Sequence, residues 1–545
     1  MGVAHALRAR ARPRSKRALA CALFASLGLA APWAAADTAG DAAGGEGDAP
    51  APPQVLKLSL KQCAELALQY NPRVREAALD VADRERKLAN ERGAWVPTLS
   101  ASGLLKREVV GEPFAFNDPR GRFTNTGPGF EAGLKGLAPL GTLYGVKAKS
   151  ELLWTTRNAE SISPQYRNRL GVELTQPLLR GWGVPTVMAA QRAAELEREV
   201  ARGAGRGVGD DVLLELTRAY WELYIRYNLL ETQRGGLDYF QKQVERARSA
   251  RPRNAEAIVR AYEQLDAHLK NVMAYTVRDI LSGERQVLAL IYLTDGGRRA
   301  SVALDQRVIP TDRPEPAPET RSLDSLIARA YARRPELRAA TDKLRAQELI
   351  VAAEGNRSRP ALDLVLNAGL ASFTGEATRG RPGHDLVTNL PHPDISGLYG
   401  NAWAQVFQGR MPYIEGGLRL DLPLAVDVRR NKLKDAMIER DRLRVRLWAL
   451  KSRVALEVRD AYMRLQQQAR MLEVARQALD TIAKRKDQAV EDLFTGRGEV
   501  GEVMWGEELV GRLLAGPTFA AKDYMIVEAE LWRALGELRD QLGLK

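Results

Sequence analysis

At 545 residues, with 27% charged and only 6% aromatic side chains, the chain suits long solvated helices better than one large globular core. Six of the positive charges behind its net +13 fall in residues 1–36 (Arg8, Arg10, Arg12, Arg14, Lys16 and Arg17), and no basic cluster with interleaved aromatics follows. That distribution argues against a nucleic-acid partner.

The basic stretch ending at Arg17, the apolar run Ala18–Ala31 and the small residues Ala34-Ala35-Ala36 before Asp37 read as a secretory signal peptide over 1–36. The Ala-, Gly-, Asp- and Pro-rich residues 37–54 read as a disordered mature N-terminus. After cleavage Cys63 stands alone, so no disulfide supports the fold. Nowhere else do enough apolar residues run together for a helix to span a bilayer. A chain that enters a membrane must then do so as strands.

Ser59 is placed to cap a first helix containing Ala64, Ala67 and Leu68. Asn71-Pro72 interrupts it, because the residue before proline avoids helical geometry. A charged amphipathic helix is predicted from Pro72 to Gly93, ending before Pro97. Four strand-like stretches follow, Thr98–Val109, Gly129–Leu137, Leu143–Trp154 and Tyr166–Gln176, separated by Gly, Pro and Asn clusters. After Pro177 a long helix is predicted from Thr186 to about Ser249, turning and returning to about Leu293. Its Leu213, Leu216, Tyr220, Leu223, Tyr227 and Leu230 alternate at spacings of three and four, a heptad seam. Within it Gly203, Gly205, Gly207 and Gly209 alternate. Each glycine costs a helix about 1 kcal/mol relative to alanine, so a break is expected there.

The second half repeats the first. Ser59-Leu60 answers Ser322-Leu323, and Pro72, Arg75, Glu91, Pro97 and Leu99 answer Pro335, Arg338, Glu354, Pro360 and Leu362, all at one constant offset. An internal duplication is the reading, with repeats over 55–310 and 311–545. Strands are predicted at Ala361–Phe373 and Tyr413–Leu422. A helix follows from Val428 to Leu493 with the seam Val458, Tyr462, Leu465, Ala469 and Leu472, and a last helix runs to about Leu542, kinked by Pro517. Twelve aromatics, among them Tyr144, Trp154, Trp403 and Phe407, fall near strand ends, as at the interfaces of a membrane β-barrel.

LSLKQCAELALQYNP with its echo RSLDSLIARAYARRP, the GVELTQPLLRG segment, the paired Ala219-Tyr220 and Ala461-Tyr462 helices, FTGRGEVGEV and the terminal Leu535-Gly536 together resemble the TolC-like outer-membrane efflux protein family, over essentially all of the mature chain. The resemblance implies an α+β membrane protein: a homotrimer whose strands close one barrel in outer-membrane lipid and whose helices continue as a hollow periplasmic α-barrel. It implies a duct for efflux or type I secretion, working with a periplasmic adaptor and an inner-membrane pump of the RND or ABC type. The implied adaptor-contacting tip is Phe494, Thr495, Gly496 and Arg497, with Arg251 and Pro252 at the corresponding first-half turn, where a proline stands in place of the expected glycine. The implied pore gate is Glu502 with Arg497; an exposed helix carboxylate and a solvated arginine are the alternatives. The first half offers four strand candidates where the family usually has two, leaving the strand number open.

A duct needs no nucleophile, cofactor or metal, and His268, His384 and His392 assemble into no ligand set with Cys or carboxylates. No catalytic residue is assigned. The alternative is a soluble periplasmic coiled-coil adaptor or scaffold, which would share the export signal and the heptads but not outward-facing apolar strands.

Overall fold

The computed structural model describes residues 55–114, 120–157, 160, 162–250, 255–291, 306–377, 395–422, 426–495 and 497–544, and these lie in one compact unit, Pro53–Lys545. A short strand β1 (Val55–Leu58) leads into α1 (Leu60–Tyr70) and α2 (Pro72–Gly93). Ser59 caps α1 in a reciprocal capping box: its Oγ accepts from the Gln62 amide at 3.3 Å, and its own amide donates to Gln62 Oε1 at 2.9 Å. Asn71 then caps α2, accepting from the Arg73 amide at 3.0 Å, with Pro72 at the first helical position.

Strands β2 (Thr98–Gly111), β3 (Arg122–Leu137), β4 (Leu143–Thr155) and β5 (Ile162–Pro177) follow, all four at predicted stretches. The chain continues through α3 (Val184–Val187), α4 (Ala189–Ala250) and α5 (Ala255–Ile291). The first half closes with β6 (Arg307–Pro310), and the second half supplies α6 (Leu323–Arg333), α7 (Pro335–Arg357), β7 (Ala361–Ala377), α8 (Tyr399–Phe407), β8 (Met411–Asp421) and α9 (Val426–Phe494), then α10 (Val500–Leu514), α11 (Gly516–Leu535) and α12 (Leu538–Gln541). Pro517 does not kink one helix. It stands in the first turn of α11, which is separated from α10 by a single turn residue, Ala515.

β1 and β6 pair in parallel, clipping the start of the first half to its end, just before the second half begins. The seam of α4 packs on this clip. Leu213, Leu216, Tyr220 and Leu223 are completely buried, each worth roughly 1.5–3 kcal/mol of apolar burial. The Tyr220 hydroxyl donates to the Leu58 carbonyl at 3.1 Å and accepts from the Thr311 amide at 3.1 Å, touching β1 and the residue just after β6. Cys63 is buried in the same cluster, and desolvation pushes its thiol up to about 12.

The expected break at Gly203–Gly209 does not occur: α4 is one helix of 62 residues, roughly 90 Å long. The glycines thin it on opposite faces instead. A Cβ at Gly203 would lie 3.0 Å from Ala339 Cβ and 3.1 Å from the Pro335 carbonyl of α7, whereas one at Gly205 would lie 3.6 Å from Ala77 Cβ of α2. A Cβ at Gly209 would come within 3.4 Å of Leu68 and run into the Arg539 guanidinium. Close approach of two helices to a third compensates the lost helix propensity, a role that single-helix reasoning does not see.

All six long strands form one antiparallel sheet in the order β2-β3-β4-β5-β7-β8. Its two edges, β2 and β8, have no partner strand among the described residues. No helix among those residues is long and apolar enough to cross a membrane.

Candidate functional site

The sheet has two chemically opposite faces. One row of registered neighbours crosses all six strands as Leu99, Leu134, Val146, Val172, Ala368 and Ile414. The next row on that face is Ala101, Ala132, Ala148, Leu170, Leu370 and Pro412. These side chains are not covered: Leu99 is 77% and Ile414 82% exposed. The opposite face reads Ser102, Glu131, Lys149, Arg169, Ala371 and Met411 across the same strands. There Lys147 Nζ stands 3.2 Å from both Glu131 and Glu173, a ladder of charges across β3, β4 and β5. Tyr144 and Trp154 mark opposite ends of β4 on the apolar side, whereas Phe373 and Tyr413 alternate onto the charged side.

The helix turns form the second region. α9 closes at Phe494, and α10 opens at Val500. The Thr495 amide and hydroxyl both donate to the Glu491 carbonyl, at 3.0 and 3.1 Å, and the Arg497 and Gly498 amides donate to the Asp492 carbonyl, each at 2.9 Å. These bonds satisfy two of the last carbonyls of α9 as the chain turns. Gly496, Arg251 and Pro252 lie outside the described residues, as do His384 and His392. Arg497 pairs with Asp492 of its own turn at 3.6 Å rather than with Glu502. Glu502 lies in the first turn of α10, half exposed, with Arg485 of α9 at 3.8 Å, and Arg485 also covers the Trp505 ring. Two arginines near the end of α4 tie helices together: Arg246 reaches Glu491 of α9 at 3.2 Å, and Arg248 reaches Glu263 of α5 at 3.0 Å.

Sequence reasoning missed the buried carboxylate beside the turns. Glu507 of α10 accepts from the Tyr239 hydroxyl of α4 at 2.9 Å and the Tyr262 hydroxyl of α5 at 3.4 Å. Lys486 of α9 stands 4.0 Å from it and 4.7 Å from the Tyr239 ring centre. One carboxylate thus joins four helices. Its signal, an acid on the apolar side of α10, is invisible until the tyrosines of the other half are known to face it. Burial raises the Glu507 carboxyl above its ordinary range; Lys486 and the two hydroxyls pull it down, and Asp487 adds to the rise, with burial the largest effect. A raised carboxyl binds its proton more tightly folded than unfolded, so its contribution is full below the ordinary carboxylate pKa and fades as pH rises through the folded value. Proteolysis at the α9–α10 turn is therefore expected to speed up from pH 5 to pH 8. Glu507→Gln should flatten that profile, and an unchanged slope in the variant would remove Glu507 from the linkage.

Among the described residues no group of His, Cys, Asp and Glu could hold a metal ion. Neither a family profile nor a curated protein matches the sequence. Solved structures do match. A membrane protein from Pseudomonas aeruginosa superposes with a TM-score of 0.56 at 16% identity, covering 89% of this chain and 94% of that one. The outer-membrane channel OprN gives 0.55 at 13% identity, over 88% and 90%. The outer membrane protein VceC from Vibrio cholerae gives 0.55 at 15% identity, over 88% and 96%. The two-faced sheet above long antiparallel helices, together with these superpositions, gives this chain the fold of the TolC-like outer-membrane channels.

Proposed function

We propose that three copies of this chain close one β-barrel in the outer membrane of a Gram-negative bacterium and form a duct from periplasm to exterior, for efflux or type I secretion. The observation that carries this is the sheet: apolar and uncovered over most of one face, charged on the other, and with no partner strand at either edge among the described residues. Lipid suits the first face and water the second. In hydrocarbon an unpaired strand edge leaves groups costing several kcal/mol each, so the edges must be joined. An antiparallel sheet with an even number of strands has edges that run oppositely, so β8 of one copy can pair antiparallel with β2 of the next. Six strands from each of three copies make an eighteen-stranded barrel, in the size class that leaves an aqueous channel. The extra β-hairpin of the first half is what widens it. A soluble periplasmic scaffold would instead leave rows of leucine, valine and isoleucine in water.

In this reading α4, α5, α9 and α10 wall the periplasmic end, Thr495 and Arg497 sit at the adaptor-facing tip with Gly496 and the Arg251-Pro252 turn, and an inner-membrane pump supplies the energy. Three copies of Glu502 would form a carboxylate ring at the entrance, as charged rings do in channels. Light scattering on protein extracted in detergent from the outer-membrane fraction is expected to give the mass of a trimer; a soluble monomer or dimer would favour the scaffold. In planar bilayers Glu502→Ala is expected to raise single-channel conductance severalfold, and identical conductance at every voltage would take Glu502 out of the gate.

A further inference from the structure

The apolar face changes character at one end. Ser150, Asn168 and Ser372 stand side by side on β4, β5 and β7, where the preceding row carries Ala148, Leu170 and Leu370. Tyr166 and Thr374 continue the polar patch. Unlike the rest of this face it is covered: Asn168 and Thr374 are fully buried.

The cover is α8. The Tyr399 hydroxyl is 2.9 Å from Ser150 Oγ and accepts from Trp403 Nε1 at 3.1 Å. The Tyr399 ring meets Tyr166 edge-on at 5.6 Å. Ala402 and Val406, one turn apart, are buried beneath the helix. Its other side is open: Gly400, Asn401, Ala404 and Phe407 are exposed, Phe407 at 73%, and Leu398 just before the helix is 64% exposed. Residues 395–409 contain no charged side chain, in a chain that is 27% charged.

We propose that α8 is an interfacial foot, lying outside the barrel wall at its outer end and setting Leu398 and Phe407 into the headgroup–acyl boundary of the outer leaflet. This rests on the duct reading. The uncharged helix continues the lipid-facing surface: it sits immediately beyond the row of Ala148, Leu170 and Leu370, and a Cβ at Gly409 would lie 4.0 Å from Leu370 Cδ2. An uncharged helix whose exposed side mixes Phe407 with Asn401, placed where an apolar band ends, matches the mixed chemistry of that boundary better than that of open water. The serine, asparagine and threonine patch gives it a seat without burying a charge. A soluble protein partner is disfavoured because the exposed side offers neither charge nor a groove for it.

The test uses single cysteines in the full-length protein, labelled with an environment-sensitive fluorophore. Cys63 is buried with its thiol pushed up to about 12, so it does not take the label. Phe407→Cys reports the foot, Leu105→Cys the apolar band and Lys149→Cys the charged face; Ala404→Cys repeats the reading should the label at 407 disturb the helix. In phosphatidylcholine vesicles, lipid brominated near the head of its acyl chains is expected to lower fluorescence about twofold at 407 and 105 and to leave 149 unchanged. Quenching at 105 with none at 407 or 404, where aqueous iodide quenches instead, would overturn the foot while the barrel stands. Absence of lipid quenching at 105 as well would overturn both.

Discussion

Glu537→Ala is expected to lower stability by about 3 kcal/mol per protomer, the low end of the range for breaking a buried ion pair. The Glu537 side chain is 1% exposed, with Arg329 at 2.5 Å, Arg321 at 3.3 Å and Arg333 at 3.5 Å. It is placed there by Gly536, whose left-handed backbone (φ 71°) ends α11 while the Glu537 amide donates to the Trp532 carbonyl at 2.8 Å. The carboxylate therefore holds α6 and the segment before it against the end of α11. The effect stays at the low end because the three arginines are a third to nearly half exposed and recover water when their partner is removed. Arg333→Ala, which also breaks an exposed pair with Asp540 at 3.0 Å, should cost no more than about 1 kcal/mol. Denaturant unfolding of the detergent-solubilised protein measures both, and equal losses in the two variants would show that Glu537 is not the hub.

The second large effect separates two neighbours in β7. Leu366→Lys places an ammonium in the middle of the apolar band and is expected to cost about 2–4 kcal/mol per protomer in a bilayer. Asn367→Lys is expected to change stability by less than about 1 kcal/mol, because Asn367 points to the other face with Glu173 and Glu415 as its registered neighbours. Folding yields into lipid vesicles, read as heat-modifiable gel shifts, discriminate them. Comparable losses at 366 and 367 would mean that neither face is in lipid.

Much of the fold was legible because it is written in local chemistry. The prolines at 72, 97, 335 and 360 and the cap at Ser59 mark helix ends that the structure places within a few residues, and period-two alternation located all six long strands. The seam of α4 was legible too, since Leu213, Leu216, Tyr220 and Leu223 are its buried line. The glycines of α4 were misread because their reason lies on two other helices, at Ala77 and Ala339. The Glu507 network stayed hidden for the same cause: its four members come from four helices, and no spacing in sequence relates Tyr239 to residue 507. The short helix α8 left only a charge-free segment as its trace, which looks like loop until the patch beneath it is seen. Long-range juxtaposition, rather than weak propensity, set the limit.

The clip between β1 and β6 has a consequence for how the molecule is assembled. The first strand among the described residues, Val55–Leu58, finds its partner only at Arg307–Pro310. Because that partner arrives after more than half the chain has been delivered, α1 cannot settle against α4 and the clip during the early stages of synthesis. A contact of such sequence separation is slow to form, and it leaves the opening segment uncommitted while the strands behind it emerge. The strand that leads the described fold is thus among the last parts to be locked in place.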